Sequence, residues 1–383
     1  MEDIKIIRQN INDIDKQIAE LFEKRMIEAR KVAQYKIENA LPIEDKAREQ
    51  EVIDKNSLLI NDETIKEYYI DFLHAVMDIS KKYQSRLIEG MKIAYCGVEG
   101  AFAYIASKKI FKTANLQSYP SFSSAYKAVE KGECDACVLP LENSFAGDVG
   151  EVMDLLFSGS LYVNNVMNID IVHNLIGLKN ATLNDIKTVI SHPQALAQCK
   201  KYIEKHNFAT KEAVNTAIAA KDLTTLNDNS VAVIASKDVA ELYDLTILET
   251  NINSSRNNTT RFAVFSKNLN KEKTATKMGK HFILVFTVLN EAGALAKTLN
   301  IIGAHGFNMR TLRSRPMKEL IWNYYFFVEL EGDINSLDGQ DMLVELKSVC
   351  DRLKIVGTYY SEKKDRWINL CNYLLKQVQV NMM

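Results

Sequence analysis

The chain has 383 residues, of which 47% are hydrophobic and 25% charged. This is the balance of a soluble globular protein with two or three domains. Lys and Arg number 48 against 49 Asp and Glu, which excludes a broadly basic nucleic-acid-binding protein and an acidic tail protein. We find no apolar run near the roughly 18 residues of a membrane span and no secretion signal. Six cysteines do not indicate a disulfide scaffold, so we expect a cytoplasmic protein.

The first 89 residues contain no glycine and a single proline, Pro42. Because glycine and proline interrupt regular structure, this composition predicts long helices. Apolar residues recur at three- and four-residue steps, and they place the helices at about 4–36, 45–55 and 64–87. Residues 1–90 are therefore predicted to form an all-helical unit.

Short apolar runs such as Ile93–Cys96 and Val231–Ile234 alternate with helical patterns in the next part of the chain. Such runs predict buried, mostly parallel strands between helices. We therefore predict an α/β unit over residues 91–266.

The polar stretch at 267–280 is predicted to be a linker. Residues 281–360 follow the order strand, helix, strand, strand, helix, strand, which predicts a ferredoxin-like α+β sandwich. Apolar residues at helical spacing predict an amphipathic helix over 361–383. The sequence thus predicts a multidomain protein with an all-α, an α/β and an α+β part.

Charged residues on the first predicted helix suggest a cationic site, although a single charge on a helix usually faces solvent. Arg25 and Lys36 are 11 residues apart, so they share a helix face about 16 Å apart. Arg8 precedes Arg25 by 17 residues, or about 25 Å, too far for both to hold one small ligand. This spacing predicts an intertwined dimer in which Arg8 comes from a second copy.

Eight positions of the helical unit resemble the active-site pattern of the all-helical chorismate mutases: Arg8, Arg25, Lys36, Asp45, Arg48, Glu49, Ser80 and Gln84. The resemblance implies an intertwined helical dimer that converts chorismate to prephenate. It implies that Arg8 and Arg25 hold the two carboxylates, which suits guanidinium groups. Lys36 and Gln84 would donate to the ether oxygen and Glu49 would hold the hydroxyl, while the other three frame the pocket. The rearrangement is unimolecular, so it requires positioning and charge stabilisation but no cofactor or metal.

Polar motifs follow the predicted strands of the α/β unit. A glycine turn at Gly97–Phe102 leads into a helix, where backbone amides favour anions. Pro140–Ser144, Ser191–Gln194 and Asn257–Phe262 lie where strands end or begin, and strand ends commonly deliver site residues in α/β sheets. His192 alone is more often a structural histidine than a catalytic one.

Together these motifs resemble prephenate dehydratase across residues 91–266, a family whose fold implies two lobes, like periplasmic binding proteins, with the site in the cleft. The matching positions are Glu142, Asn143, Ser191, His192, Gln198, Thr216, Thr260, Arg261 and Phe262. The resemblance implies that Thr260 is the general acid and that Asn143, Ser191 and Gln198 hold prephenate. Ala101 and Ala103 stand where the family carries hydroxyls, which leaves open a weakened dehydratase.

Two short motifs in residues 281–360 resemble the phenylalanine-binding motifs of regulatory ACT domains. The first is Gly293, Ala294, Leu295 and Ala296, and the second is Arg313, Ser314, Arg315 and Pro316. Ala296 replaces a valine of the family motif and Arg313 replaces a glutamate. The resemblance implies a phenylalanine-binding regulatory domain.

The domain order is similar to that of the bifunctional chorismate mutase–prephenate dehydratases. We therefore predict an enzyme of phenylalanine biosynthesis, inhibited by phenylalanine and at least dimeric, without nucleic-acid or membrane partners. Two alternatives stay open: a mutase with an impaired dehydratase, and a non-catalytic sensor of aromatic or amino acids, because both folds also host pure binders.

Overall fold

The computed structural model describes residues 3–39, 41–255, 257–269, 279–317 and 323–360. The chain forms two compact units, Met1–Lys92 and Ile93–Met383. The predicted helix at 361–383 and most of the predicted linker at 267–280 lie outside the described residues. Within the part of the chain that is described, no helix is both long and apolar enough to cross a membrane.

The first unit consists of three helices: α1 (Ile4–Glu38), α2 (Lys46–Ser57) and α3 (Lys66–Glu89). The Asp3 side chain caps α1 by accepting the backbone N–H of Lys5 at 3.0 Å, which satisfies one of the helix's free amides. The C-terminal half of α1 packs on α3, and Ala29 and Ala33 are buried there. The three helices match the sequence prediction to within a few residues at each end.

The N-terminal half of α1 presents a stripe of exposed apolar side chains at helical spacing: Ile4, Ile7, Ile11, Ile14, Ile18 and Leu21. An amphipathic helix normally buries such a stripe against another element. In a single chain this stripe is uncovered.

The second unit contains two sheets. The strands of the large sheet that precede residue 270 are β1 (Lys92–Cys96), β2 (Asn115–Tyr119), β3 (Ala136–Asn143), β4 (Gly147–Asp148), β5 (Tyr162–Asp170) and β11 (Thr259–Ser266). Helices α4 (Phe102–Ile110), α5 (Phe122–Lys131) and α6 (Gly150–Ser158) connect them. The buried side chains of β3 and β11 form the centre of this core.

The small sheet has five strands: β6 (Asn174–Gly177), β7 (Thr188–Ser191), β8 (Ala209–Glu212), β9 (Val231–Ala235) and β10 (Thr246–Glu249). Its helices are α7 (Pro193–Gln198), α8 (Lys200–Lys205), α9 (Thr216–Leu226) and α10 (Lys237–Leu242), with a short 3₁₀ turn at Leu183–Asp185. The chain passes between the two sheets twice, after β5 and before β11.

The prediction of mostly parallel strands was wrong for this unit. Strand β11 runs antiparallel to both β3 and β5, and β6 runs antiparallel to β9 and β10. Parallel pairing is found at β1–β3, β7–β8 and β7–β9. The two passages between sheets bring strands back in the opposite direction, and an apolar run carries no signal for that reversal.

The C-terminal module, residues 280–360, contains β12 (Lys280–Thr287), α11 (Ala294–Ala304), β13 (Asn308–Pro316), β14 (Tyr324–Glu331), α12 (Leu337–Lys347) and β15 (Arg352–Tyr360). This is the predicted order of elements. Its strands lie in the order β13-β14-β12-β15 and are all antiparallel. Alternate residues of β12 point to opposite faces: Phe282 and Leu284 join a core with the two helices, whereas Ile283 and Val285 join the core of the large sheet.

Strand β15 joins the module to the large sheet, because Gly357 pairs in parallel with Val163 of β5. A side chain at Gly357 would overlap the Val163 backbone. Glycine therefore permits the close approach of the two strands, and one continuous sheet runs from the module into the rest of the second unit.

Candidate active sites and their surroundings

Arg25 is the central cation of the helical unit. Its guanidinium donates to the Ser80 hydroxyl and to the Val76 carbonyl, the latter at 3.4 Å. Ser80 in turn donates to the same carbonyl at 2.8 Å. Burial lowers the pKa of Arg25 from its ordinary value, yet a guanidinium remains charged. The packing of α1 on α3 thus fixes the position of this guanidinium beside Ser80, while Arg25 itself remains exposed in the single chain and accessible to an anion.

Lys36 and Gln84 are the other groups that α1 and α3 contribute. The Lys36 ammonium donates to the Ile43 carbonyl at 2.5 Å, in the loop before α2. Gln84 is buried, and its Oε1 has no hydrogen-bond partner among the residues that the structure describes. Arg8 lies on the exposed N-terminal part of α1, well beyond reach of Arg25 on the same helix.

Three predicted pocket residues have partners within their own helices or on α3. Glu49 pairs with Lys81 at 3.0 Å. Arg48 pairs with Glu51 at 2.6 Å on the exposed side of α2. Asp45 caps α2 by accepting the backbone N–H of Arg48 at 3.0 Å. Asp45 and Arg48 thus have partners within α2, and their part in the mutase pocket stays a prediction.

In the large sheet, Asn143 and Thr260 face each other in register at the ends of β3 and β11. The Asn143 amide donates to Thr260 Oγ1 at 2.8 Å and to Asn258 Oδ1 at 2.9 Å. Its own Oδ1 accepts the backbone N–H groups of Phe145 and Ala146 at 2.9 Å each, which fixes the amide orientation. Because the Thr260 oxygen accepts from Asn143, its own hydrogen is available for donation to a substrate.

Ser191 and Gln198 lie beside the small sheet and are both buried. The Ser191 hydroxyl donates to the Ile234 carbonyl at 2.6 Å. Gln198 Oε1 lies 2.8 Å from Nε2 of His173. Burial lowers the pKa of His173, so the imidazole is neutral near pH 7 and Nε2 donates to Gln198. The amide hydrogens of Gln198 are then directed away from His173.

Lowering the pH should destabilise the protein through His173. Because burial lowers the pKa of His173 in the folded chain, the unfolded chain alone takes up this proton as the pH falls below about 6.5. The free energy of unfolding therefore decreases on acidification, by up to about 1.4 kcal/mol per pH unit. His173→Asn should show a shallower slope in urea unfolding between pH 7.5 and 5.5. Equal slopes in the two proteins would contradict this expectation.

The glycine turn brings the start of α4 close to residues around the small sheet. The Phe102 ring lies edge-on to the His173 ring at 5.8 Å. A side chain at Gly100, whose φ is +86°, would lie 2.9 Å from Val239. Ala101 begins α4 without a side-chain cap, so the first amides of this helix remain available to an anion.

Two predicted substrate-binding residues are at helix starts. Nδ1 of His192 accepts the Gln194 backbone N–H at 3.2 Å, which makes His192 the N-cap of α7. Thr216 is the first residue of α9, which Asn215 caps by accepting the Ala217 N–H at 2.8 Å. His192 therefore has a structural role at the start of α7, and its part in substrate binding stays a prediction.

Arg261 and Glu142 do not share the surroundings of Thr260 and Asn143. Arg261 pairs with Glu142 at 2.9 Å and reaches into the C-terminal module, donating to Glu329 at 3.0 Å and Tyr359 at 2.9 Å. Successive residues of a strand point to opposite faces, so the side chains of Thr260 and Arg261 lie on opposite faces of β11. Phe262 is buried in the protein core. These contacts commit Glu142 and Arg261 to the module, and we omit both from the proposed substrate site.

His173 and Asn258 were not singled out by the sequence analysis. His173 stands outside every motif, and it is found only through its contact with Gln198. Asn258 belongs to the polar run before Thr260, but the sequence did not distinguish it from Asn257. In the structure Asn258 is buried, and its Nδ2 has no hydrogen-bond partner within the described part of the chain.

In the C-terminal module, Gly293 starts α11 in a left-handed conformation with φ +84°. The residues Ala294–Ala296 form the first turn of that helix. Ser314 and Pro316 are exposed on β13, which is the edge strand of the sheet.

Arg313 and Arg315 of the same motif turn toward the large sheet. Arg313 forms ion pairs with Glu142 and, at 2.5 Å, with Asp148. Arg315 pairs with Asp154 of α6 at 3.2 Å. Both guanidinium groups therefore have acidic partners outside the module.

Residues 93–270 match the prephenate dehydratase family and residues 7–85 match chorismate mutase type II. A bifunctional chorismate mutase/prephenate dehydratase of Buchnera aphidicola is 32% identical over 373 residues, which cover 94% of this chain and 96% of that protein. The chain belongs to this family of bifunctional enzymes. It is a chorismate mutase and a prephenate dehydratase, and it acts in phenylalanine biosynthesis.

Solved structures extend the similarity to the fold of the second unit. The prephenate dehydratase of Staphylococcus aureus is 27% identical, with a TM-score of 0.61, covering 70% of this chain and 100% of that one. The prephenate dehydratase of Arthrobacter aurescens, in complex with L-Phe, is 22% identical with a TM-score of 0.66, covering 75% and 99%. The bifunctional enzyme thus carries a prephenate dehydratase fold after its mutase unit.

Proposed function

We propose that Thr260 is the general acid of the dehydratase reaction and that Asn143 holds it in place. The hydrogen bond from Asn143 to Thr260 carries this assignment, because it leaves the threonine hydrogen free to be donated. Prephenate loses its ring carboxylate as CO₂ and its hydroxyl as water, and one proton is consumed overall. Protonation of the departing hydroxyl is the step that a positioned donor accelerates. Substitution of Thr260 tests the assignment, and the mutase unit of the same chain provides the control.

The substrate carboxylates would be bound between the two sheets. The uncapped amides at the start of α4 offer partial positive charge, and the free Nδ2 of Asn258 offers another donor. Ser191 and Gln198 would hold the substrate from the side of the small sheet. On this proposal Ala101 does not weaken the site, since a serine there could cap α4 and compete with the substrate for its amides.

The mutase site would be completed by a second copy of the chain. The exposed apolar stripe of α1 is suited to bury against the same stripe of another copy, and Arg8 lies on this half of the helix. Arg25 would bind one carboxylate of chorismate and Arg8 of the second copy the other. Lys36 and Gln84 would donate to the ether oxygen, with Gln84 turning its amide as needed, since its Oε1 holds no partner. Clamping both carboxylates favours the folded conformation that the rearrangement requires.

The C-terminal module would be a ferredoxin-like ACT domain that binds phenylalanine. Its strand order and the phenylalanine complex of the Arthrobacter aurescens dehydratase support this proposal. Because Arg313 and Arg315 have acidic partners, the effector would meet the first turn of α11 and the backbone of β13. Bound phenylalanine would lower the dehydratase rate by favouring a less active state.

Replacing Gly293 by alanine should weaken inhibition by phenylalanine. Among the described residues no atom lies near enough to obstruct a Cβ at this position, but a left-handed conformation costs a residue other than glycine about 1–2 kcal/mol. The start of α11 would then shift, and we expect half-inhibition at a roughly tenfold higher phenylalanine concentration. The measurement is an inhibition curve, scaled to the uninhibited rate of each protein. An unchanged half-inhibition concentration would place the effector elsewhere.

Membership of an enzyme family sets aside the alternative of a non-catalytic sensor. The cytoplasmic location stays a prediction from the sequence. A chorismate mutase with an impaired dehydratase would form prephenate but little phenylpyruvate. Phenylpyruvate formation therefore distinguishes this alternative from the proposed enzyme.

A further inference from the structure

We propose that Arg313 is a positioning residue of the dehydratase site, acting on Asn143 and Thr260 through Glu142. Arg313 lies in the C-terminal module, but its ion pairs are with Glu142 and Asp148 of the catalytic part. The proposal rests on the assignment of Asn143 and Thr260 to the dehydratase site.

Two consecutive register pairs connect Arg313 with that site. Thr260 faces Asn143, and the next pair along the same two strands is Arg261 facing Glu142. The first pair is the amide–hydroxyl contact of 2.8 Å. The second is an ion pair of 2.9 Å whose other carboxylate oxygen accepts from Arg313. A shift of Glu142 would therefore move its chain neighbour Asn143.

Arg313 also fixes the turn that follows Asn143. Glu142 of β3 and Asp148 of β4 are register partners, and the guanidinium of Arg313 pairs with both carboxylates. It therefore links the two strands on either side of the turn. Within that turn the Asn143 oxygen accepts two backbone N–H groups. The orientation of the Asn143 amide, and hence its donation to Thr260, depends on the closure of this turn.

The partial burial of these groups strengthens their interaction. The side chains of Arg313, Glu142 and Asp148 are 29%, 20% and 23% exposed. Charges in such places are screened less than those on the open surface. Glu142 and Asp148 are register partners. Without Arg313 their two carboxylates would lose a cation that neutralises both, and like charges opposite each other destabilise a strand pair.

The planar fork of arginine suits a bridge between two carboxylates, whereas lysine offers a point charge. Arg313→Lys should therefore retain part of the effect. Arg352 offers a matched control, because it too reaches from the module toward the large sheet's own helices, where its guanidinium lies 4.8 Å from the Phe157 ring of α6. Arg352→Met removes a guanidinium from the same region without touching Glu142 or Asp148.

The experiment compares full-length Arg313→Met, Arg313→Lys, Arg352→Met and Thr260→Ala, measuring mutase and dehydratase turnover of each. We expect Arg313→Met to lower the dehydratase kcat about tenfold, with KM changed less than twofold and mutase turnover retained. Arg313→Lys should recover part of the loss, and Arg352→Met should resemble the unsubstituted protein. A loss in kcat with little change in KM is the result expected for a residue that aligns Asn143 and Thr260 without binding the substrate.

Three results would overturn the proposal. One is an unchanged kcat in Arg313→Met. Another is a rise in KM alone, which would indicate substrate binding. The third is an equal loss in Arg313→Met and Arg352→Met, or in Arg313→Met and Arg313→Lys, which would indicate general loosening of the module. If Thr260→Ala kept its activity, the assignment of the site would fail first, and that result is distinct from all three.

Discussion

Replacing Thr260 by alanine should nearly abolish the conversion of prephenate to phenylpyruvate. The substitution removes the hydroxyl that accepts from Asn143 at 2.8 Å and that we assign as the proton donor. General acid catalysis contributes about 100- to 10 000-fold, so we expect a loss of kcat in that range. The measurement is the initial rate of phenylpyruvate formation from purified prephenate.

The control for Thr260→Ala lies in the same chain. Mutase turnover should be retained, because its candidate residues lie in the other compact unit. Thr260→Ser should recover much of the dehydratase rate, since serine restores the hydroxyl at a position with the same Asn143 donor. Phenylpyruvate formation by Thr260→Ala at the original rate would disprove the role of Thr260.

A hybrid dimer of Arg8→Ala and Arg25→Ala should recover mutase activity that each variant lacks. Each substitution alone removes one carboxylate-binding guanidinium, and we expect roughly 100- to 1000-fold lower turnover. In a hybrid of the two, one site receives Arg25 from the first chain and Arg8 from the second, while the other site lacks both. Two-fold symmetry therefore predicts about half of the original activity.

The hybrid is prepared by co-expression of the two variants with different affinity tags and purification on both. Its dehydratase rate should equal that of either parent, which controls for the amount of folded protein. A hybrid as inactive as its parents would show that Arg8 and Arg25 do not complete one site between two copies. Failure to recover any doubly tagged protein would contradict the dimer itself.

The elements of the fold that depend on local patterns were predictable. The absence of glycine before residue 90 gave the three long helices, and the apolar runs located strands such as β3 and β9. The order of elements in the C-terminal module was predicted from the spacing of apolar residues, which alternate in strands and recur every three or four residues in helices. These signals lie within a few residues of one another in the chain.

Features that depend on pairing between distant segments were not predictable. The reversed direction of β11 arises from chain passages that leave no mark on the apolar pattern. The register of β11 on β3 shifts between Arg261 and Phe262. The sequence alone does not indicate which carboxylate pairs with Arg261. His173 is found only through its contact of 2.8 Å with Gln198, which is 25 positions away in the chain. The partners of Arg313 are far more distant in the chain, with Glu142 171 positions away, and its charge is understood only beside Glu142 and Asp148.

The most direct test of the account follows chorismate, prephenate and phenylpyruvate separately over time with purified full-length protein, with and without phenylalanine. The account predicts that prephenate appears first, that phenylpyruvate follows, and that phenylalanine slows the second conversion. Prephenate that accumulates and decays no faster than it does without protein would contradict the account, and the dehydratase site described around Thr260 would be inactive.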